Sequence, residues 1–172
     1  MNILMIILRV IHILSGVFWV GFAIFNLAFL QPTIRATGAE GQKTLQYLMR
    51  KTRLMTSVYL AATLTMFTGL IQLGIISNLQ HSFINSGWGL IITLGSVSGI
   101  IAWFIAIHFI RRIFNQMGVV GAELQSSDAP PNPEKLSEMQ ALVERLGKVG
   151  KTALVFMIIS VIGMAAARYS IF

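Results

Sequence analysis

The residue type with the clearest chemical use in this sequence is an imidazole set in an apolar stretch. The run His12-Ile-Leu-Ser-Gly16-Val-Phe-Trp19-Val-Gly21 stays apolar to Leu30 and stops at Gln31-Pro32. An ionisable residue within such a span is a functional candidate by default. Imidazole is also the usual side-chain ligand of haem iron and of copper. The alternative is a packing histidine near an interface, hydrogen-bonded to Ser15 or to water. Trp19 follows His12 by seven residues. Two helical turns therefore bring both side chains to one face.

Other residues fall at the depth of His12 once the chain is folded into spans. The fourth span offers Met164, a soft thioether, and the second offers Gln72. Arg9 shares a helix face with His12, and Arg168 returns to the same end. A histidine, a thioether and two arginines could hold haem with its propionates at the outer face, or hold copper. The bland readings are core filling for Met164 and lipid headgroups for the arginines.

His108 is set at a different depth. His12 lies about 5 Å past the outer boundary marked by Arg9, at 1.5 Å per residue, whereas His108 lies about 30 Å beyond Trp88 by the same rise. Two axial ligands of one iron cannot be so far apart. His108 shares its layer with Asn26, Arg53 and Tyr59. It could bind an anionic headgroup or propionate there, or simply be an interfacial histidine beside Arg111-Arg112. His81 falls in a loop beside Gln80, and is read as solvent-exposed. No glycine-rich phosphate loop, nucleophile–base pair or carboxylate cluster is present.

The elements that must position these groups are membrane helices. The chain has 172 residues, of which 55% are apolar, 11% charged and none cysteine. Soluble domains carry about 25% charged residues, so this deficit fits a chain solvated by lipid. The missing thiols exclude a disulfide framework, thiolate metal sites and cysteine catalysis. Four stretches are long enough to cross a bilayer, at residues 3–30, 54–76, 88–110 and 152–171. They form a single domain over residues 1–172. The fold class is all-α, an integral membrane four-helix bundle.

Eleven of the thirteen Lys and Arg residues fall in the two connections 31–53 and 111–151. The positive-inside rule puts both connections in the cytoplasm and both termini on the non-cytoplasmic side. A multi-pass protein of the plasma (inner) membrane is expected. The +7 charge then reflects topology and anionic lipid rather than nucleic acid.

Pro32 is expected to end the first helix. The second is expected to begin near Ala39–Thr44 and to run unbroken into its span. The segment Ser126–Pro133 should break the chain, with Asn132 capping a last helix that has Pro133 in its first turn. Gly147 and Gly150 could let that helix bend. Gly95 and Gly99 make a small-xxx-small face suited to close packing against a larger membrane partner.

The run from His12 to Gly21, Pro32, Met49-Arg50 to Arg53-Leu54, Thr68-Gly69-Leu70, and Trp88 opening the third helix together resemble the CopD family of copper-resistance membrane proteins. A related family of four-helix membrane proteins is similar. A more distant likeness is to the haem-binding membrane protoporphyrinogen oxidases. The resemblance covers roughly residues 8–110. It implies that His12 ligates haem b or copper with Trp19 packed beneath it, in electron transfer or metal handling. The oxidases carry a lysine shortly after the tryptophan of the third helix. The run Trp88-Gly-Leu-Ile-Ile-Thr93-Leu94 has none, which ranks that activity last. The competing reading is a structural subunit without cofactor, packed against other membrane chains or against a second copy.

Overall fold

Long apolar runs leave the backbone no partner but itself, so each closes its hydrogen bonds within a helix. The computed structural model describes residues 3–78, 80–126 and 132–170, and is all-helical over them. The helices are α1 (Ile3–Phe25), α2 (Gln31–Lys51), α3 (Leu54–Ser77), α4 (Gly87–Phe104), α5 (Arg111–Ser126) and α6 (Pro133–Ala166). Single π-helical segments, Asn26–Leu30 and Ile105–Ile110, join α1 to α2 and α4 to α5. Four continuous rods result: Ile3–Gly38, Leu54–Ser77, Gly87–Leu124 and Pro133–Tyr169. Each is long and apolar enough to cross a membrane. Leu14, Val17, Leu60, Leu94 and Ile162 face outward from them, as expected of a multi-pass membrane protein whose surface meets lipid.

Two expectations about the first connection are corrected. The helix does not stop at Pro32. A proline inside a helix removes one N–H and presses its ring on the preceding turn. Here that preceding turn is the wide π segment, in which the N–H of Gln31 bonds the carbonyl of Asn26, five residues back. The widened turn accommodates the ring. The rod ends instead at Gly38, whose φ of 56° only glycine adopts easily. The helix resuming after Gly38 also does not run unbroken into α3. Thr52 leaves the helical region at φ −106°, ψ 163°. Its hydroxyl accepts the N–H of Leu54 at 3.2 Å, so a side chain replaces the backbone partner at the break.

Two later expectations hold. The Asn132 side chain accepts the N–H of Glu134 at 2.9 Å, and Pro133 occupies the first turn of α6. The break before it covers residues 127–131, which lie outside the described residues. α6 then runs continuously through Gly147 and Gly150. A Cβ on Gly150 would sit 3.5 Å from Leu27, and one on Gly147 3.9 Å from Arg35, both ordinary contact distances.

The rods pack as two antiparallel hairpins. In the first, Gly16 of α1 faces Thr65 of α3, and His12 faces Gly69. In the second, Gly99 of α4 faces Ser160 of α6, and Gly95 meets Gly163. A Cβ on Gly163 would lie 3.1 Å from the Gly95 Cα. The sequence expectation that Gly95 and Gly99 dock another chain is therefore corrected, because the chain's own α6 fills that face. The described start of α1, the described end of the fourth rod and the turn His81–Phe83 lie at one end of the bundle. The basic connections lie at the other.

The hairpins repeat one another, a feature the sequence reading missed. Ser15-Gly16, Ala23-Ile24 and Gly38-Ala39-Glu40 recur, at one constant spacing, as Ser98-Gly99, Ala106-Ile107 and Gly121-Ala122-Glu123. The same spacing sets His12 opposite Gly95 and Trp19 opposite Ala102. Each copy begins a rod, carries a π-helical segment and returns antiparallel. That is a parallel repeat, two halves related about an axis along the rods. The hairpins meet in a core of Trp19, Val58, Ala61, Ala62, Ala102, Ala106, Ala153 and Met157. Trp19 and Ala102, the bulky and small members of their pair, are both buried in this core. Trp103 adds a bond across the seam, donating from Nε1 to the Thr63 hydroxyl at 3.4 Å.

Candidate functional site

The polar groups of the first hairpin converge on His12. On α3, Thr65, Thr68, Gly69 and Gln72 recur at i, i+3, i+4 and i+7, so they share one face. That face packs on α1. Gly69 is what admits the imidazole, since a Cβ there would fall 2.7 Å from Cε1 of His12. Nδ1 of His12 lies 2.8 Å from the Thr65 carbonyl oxygen. A carbonyl can only accept, so Nδ1 carries the proton and donates. The neutral ring then presents an unprotonated Nε2, and among the described residues no hydrogen bond reaches that atom.

A hydroxyl chain buttresses the ring. Thr65 donates to the Ser15 hydroxyl at 2.8 Å, and Ser15 donates to the Ile11 carbonyl at 2.6 Å. Thr68 donates to the Leu64 carbonyl at 2.6 Å with its oxygen 3.3 Å from Nδ1. One turn further, Gln72 donates to the Thr68 carbonyl at 3.1 Å and reaches the Leu8 carbonyl at 3.4 Å. The imidazole is thus held in one orientation and one tautomer by α3.

Of the residues singled out from sequence, Gln72 lies beside His12 in depth, one turn away. Trp19 is buried two turns deeper, in the core between the hairpins. Arg9 and Arg168 are exposed at the same end of the bundle as His12. Met164 is on α6, with its backbone against Gly95 of α4 and its side chain exposed. It therefore belongs to the second hairpin, while His12 belongs to the first. His108 lies beyond the core, toward the basic end. Its ring stacks on Phe104, with centroids 5.3 Å apart and planes within 7°. His81 opens the 3-10 turn His81–Phe83, and its side chain lies outside the described residues.

Thr65, Thr68 and Gly69 are the partners that sequence reading did not assign to His12. Their helical spacing was the signal. A stripe of hydroxyls and a glycine on one span must face something polar, and the neighbouring span holds an imidazole. Among the described residues one fully buried side-chain polar atom has no hydrogen-bond partner. It is the buried hydroxyl of Tyr59 on α3. Among the described residues, no three His, Cys, Asp or Glu side chains converge as a metal-holding group. Comparison of the chain with protein-family profiles, with curated proteins and with solved structures found no match.

Proposed function

We propose that this chain is a CopD-like multi-pass protein of the plasma (inner) membrane that holds b-type haem through Nε2 of His12. Both termini face the non-cytoplasmic side and both basic connections face the cytoplasm. The observation that carries the reading is the bond from Nδ1–H of His12 to the Thr65 carbonyl. Ligating histidines characteristically donate their other ring N–H to a carbonyl or carboxylate, which fixes the tautomer and raises ligand basicity.

The donor chemistry favours haem over copper. Porphyrin supplies four of the iron's ligands, so one imidazole suffices to anchor it. A protein-held copper ion needs several converging side chains, and no such His, Cys, Asp or Glu group is found among the described residues. Arg9 and Arg168, at the same end as His12, are placed to pair with propionates. Bound haem would supply one-electron transfer. Gly69 and the Thr65–Ser15 chain orient the imidazole that receives it.

A second reading is a structural subunit without cofactor. The broad apolar exposure of α1, with Ile3, Leu14 and Val17 outward, favours it as a surface for lipid or another membrane chain. The two readings separate on the purified full-length protein in mild detergent. The first expects a Soret band near one haem per chain, lost in His12→Ala while α-helical content is kept. A colourless, metal-free preparation that carries other membrane chains in fixed stoichiometry would establish the second instead.

A further inference from the structure

A second site, remote from His12, lies at the basic end of the second hairpin. A cavity of about 200 Å³ opens there between α5 and α6, lined by His108, Phe109, Arg112, Ile113, Gln116 and Arg145. Three of its members, His108, Arg112 and Gln116, follow at i, i+4 and i+8 down one helix face. The π-helical segment Ile105–Ile110 sets the first of them, and stacking on Phe104 holds its ring. Arg145 arrives from α6 across the cavity.

The internal repeat provides a control within the same chain. At the positions equivalent to His108, Arg112 and Gln116, the first hairpin carries Phe25, Phe29 and Thr33. Phe25 and Phe29 are exposed, at 52% and 61%. They are ordinary apolar side chains on an outward face. The second hairpin carries an imidazole, a guanidinium and an amide at these positions. Helix packing does not require that difference, since the first hairpin packs without it.

Charge balance points the same way. Two guanidiniums and an imidazole line one cavity, and among the described residues no carboxylate is paired with either arginine. Arg112 also ends the apolar part of the third rod, the depth at which lipid phosphates lie. Phe109 and Ile113 supply an apolar wall beside the cations. We propose that this cavity binds a phosphate group, with Arg112 and Arg145 as forked donors, Gln116 and His108 as additional donors, and the apolar wall seating the glycerol and acyl portion of an anionic phospholipid. Guanidinium forks suit phosphate oxygens in a way that ammonium groups do not. This site does not depend on His12 or on haem.

The test uses the full-length chain in detergent, with native mass spectrometry counting bound lipid. Phosphatidylglycerol should be retained in preference to phosphatidylcholine. Each of Arg112→Gln and Arg145→Gln should weaken retention about fivefold, the worth of one cationic contact at a membrane surface. Lys148→Gln, an exposed cation outside the cavity, should leave it unchanged. Arg112→Lys keeps charge and fold but loses the fork, and should fall between. Millimolar inorganic phosphate is the second arm. If it displaces phosphatidylglycerol from the unmodified chain and the arginine variants abolish that competition, the cavity is a phosphate site whose ligand is a free phosphate. Equal retention of both lipids with no phosphate competition, or retention indifferent to both arginines, would overturn the proposal.

Discussion

The histidine tautomer is the smallest-scale fact on which chemistry here depends. A carbonyl at 2.8 Å leaves Nδ1 no option but to donate, and so frees Nε2. The sequence made His12 a candidate but left its packing reading slightly ahead of its ligand reading. Nothing in a linear string says that Thr65 will turn a carbonyl toward it. The Thr65 hydroxyl lies 2.8 Å from both the Ala61 carbonyl and the Ser15 hydroxyl, which compete for its one proton. Such i−4 bonding by threonine loosens the local helix, and the Thr65 carbonyl is the one taken by the imidazole. The Tyr59 hydroxyl presents the opposite case, a buried donor without a partner. An unsatisfied buried hydroxyl costs on the order of 1–3 kcal/mol. Tyr59→Phe should therefore raise the free energy of unfolding in detergent by about 1 kcal/mol. A loss of stability in that variant would mean the hydroxyl has a partner in the membrane.

At the scale of elements, sequence signals worked where one residue dictated a local geometry. Asn132 before Pro133 marked the start of α6, and that start is observed. They failed where two irregularities cancel. Pro32 signals a stop, yet the π-helical segment just before it removes the clash, so the helix continues. No residue type announces a π segment, which is why this could not be read. The glycines divide by what faces them. Gly95 and Gly163 bring α4 and α6 into backbone contact, with no room for a side chain. Gly21 and Gly118 have nothing within 4 Å of where a Cβ would stand. Gly163→Val should destabilise the second hairpin by roughly 1–3 kcal/mol through overpacking. Gly21→Ala should be neutral or gain up to about 1 kcal/mol of helix propensity. Equal effects of the two substitutions, measured by denaturation in detergent, would contradict this packing.

For the whole molecule, the four spans were legible because lipid imposes apolarity over a fixed length. The internal repeat was not, because the matching positions are few and scattered, from Ser15-Gly16 against Ser98-Gly99 to Gly38-Ala39-Glu40 against Gly121-Ala122-Glu123. Architecture shows the likeness: a long rod with a π-helical segment, Asn26–Leu30 in one hairpin and Ile105–Ile110 in the other, is followed by an antiparallel return in both. The halves have diverged in opposite senses at their two ends. One end keeps the imidazole in the first hairpin, where the second has Gly95. The other end has cations in the second hairpin, where the first has phenylalanines. The proposed orientation rests on the charge distribution and is directly testable, since the chain contains no cysteine. A single cysteine at Ser82 should react with an impermeant maleimide added outside intact cells. One at Glu138 should react only after lysis. The reverse pattern would invert the protein in the membrane.

Haem ligation by Nε2 of His12 is the proposal on which the chemistry of this bundle rests. Replacing His12 with glycine removes the imidazole and leaves a space beside Gly69. The measurement is the visible spectrum of the purified His12→Gly protein before and after adding free imidazole. A Soret band is expected in the unmodified chain, with its loss in the variant and its return with imidazole. A band unaffected by the substitution, or a colourless unmodified chain after haem is supplied, would contradict it.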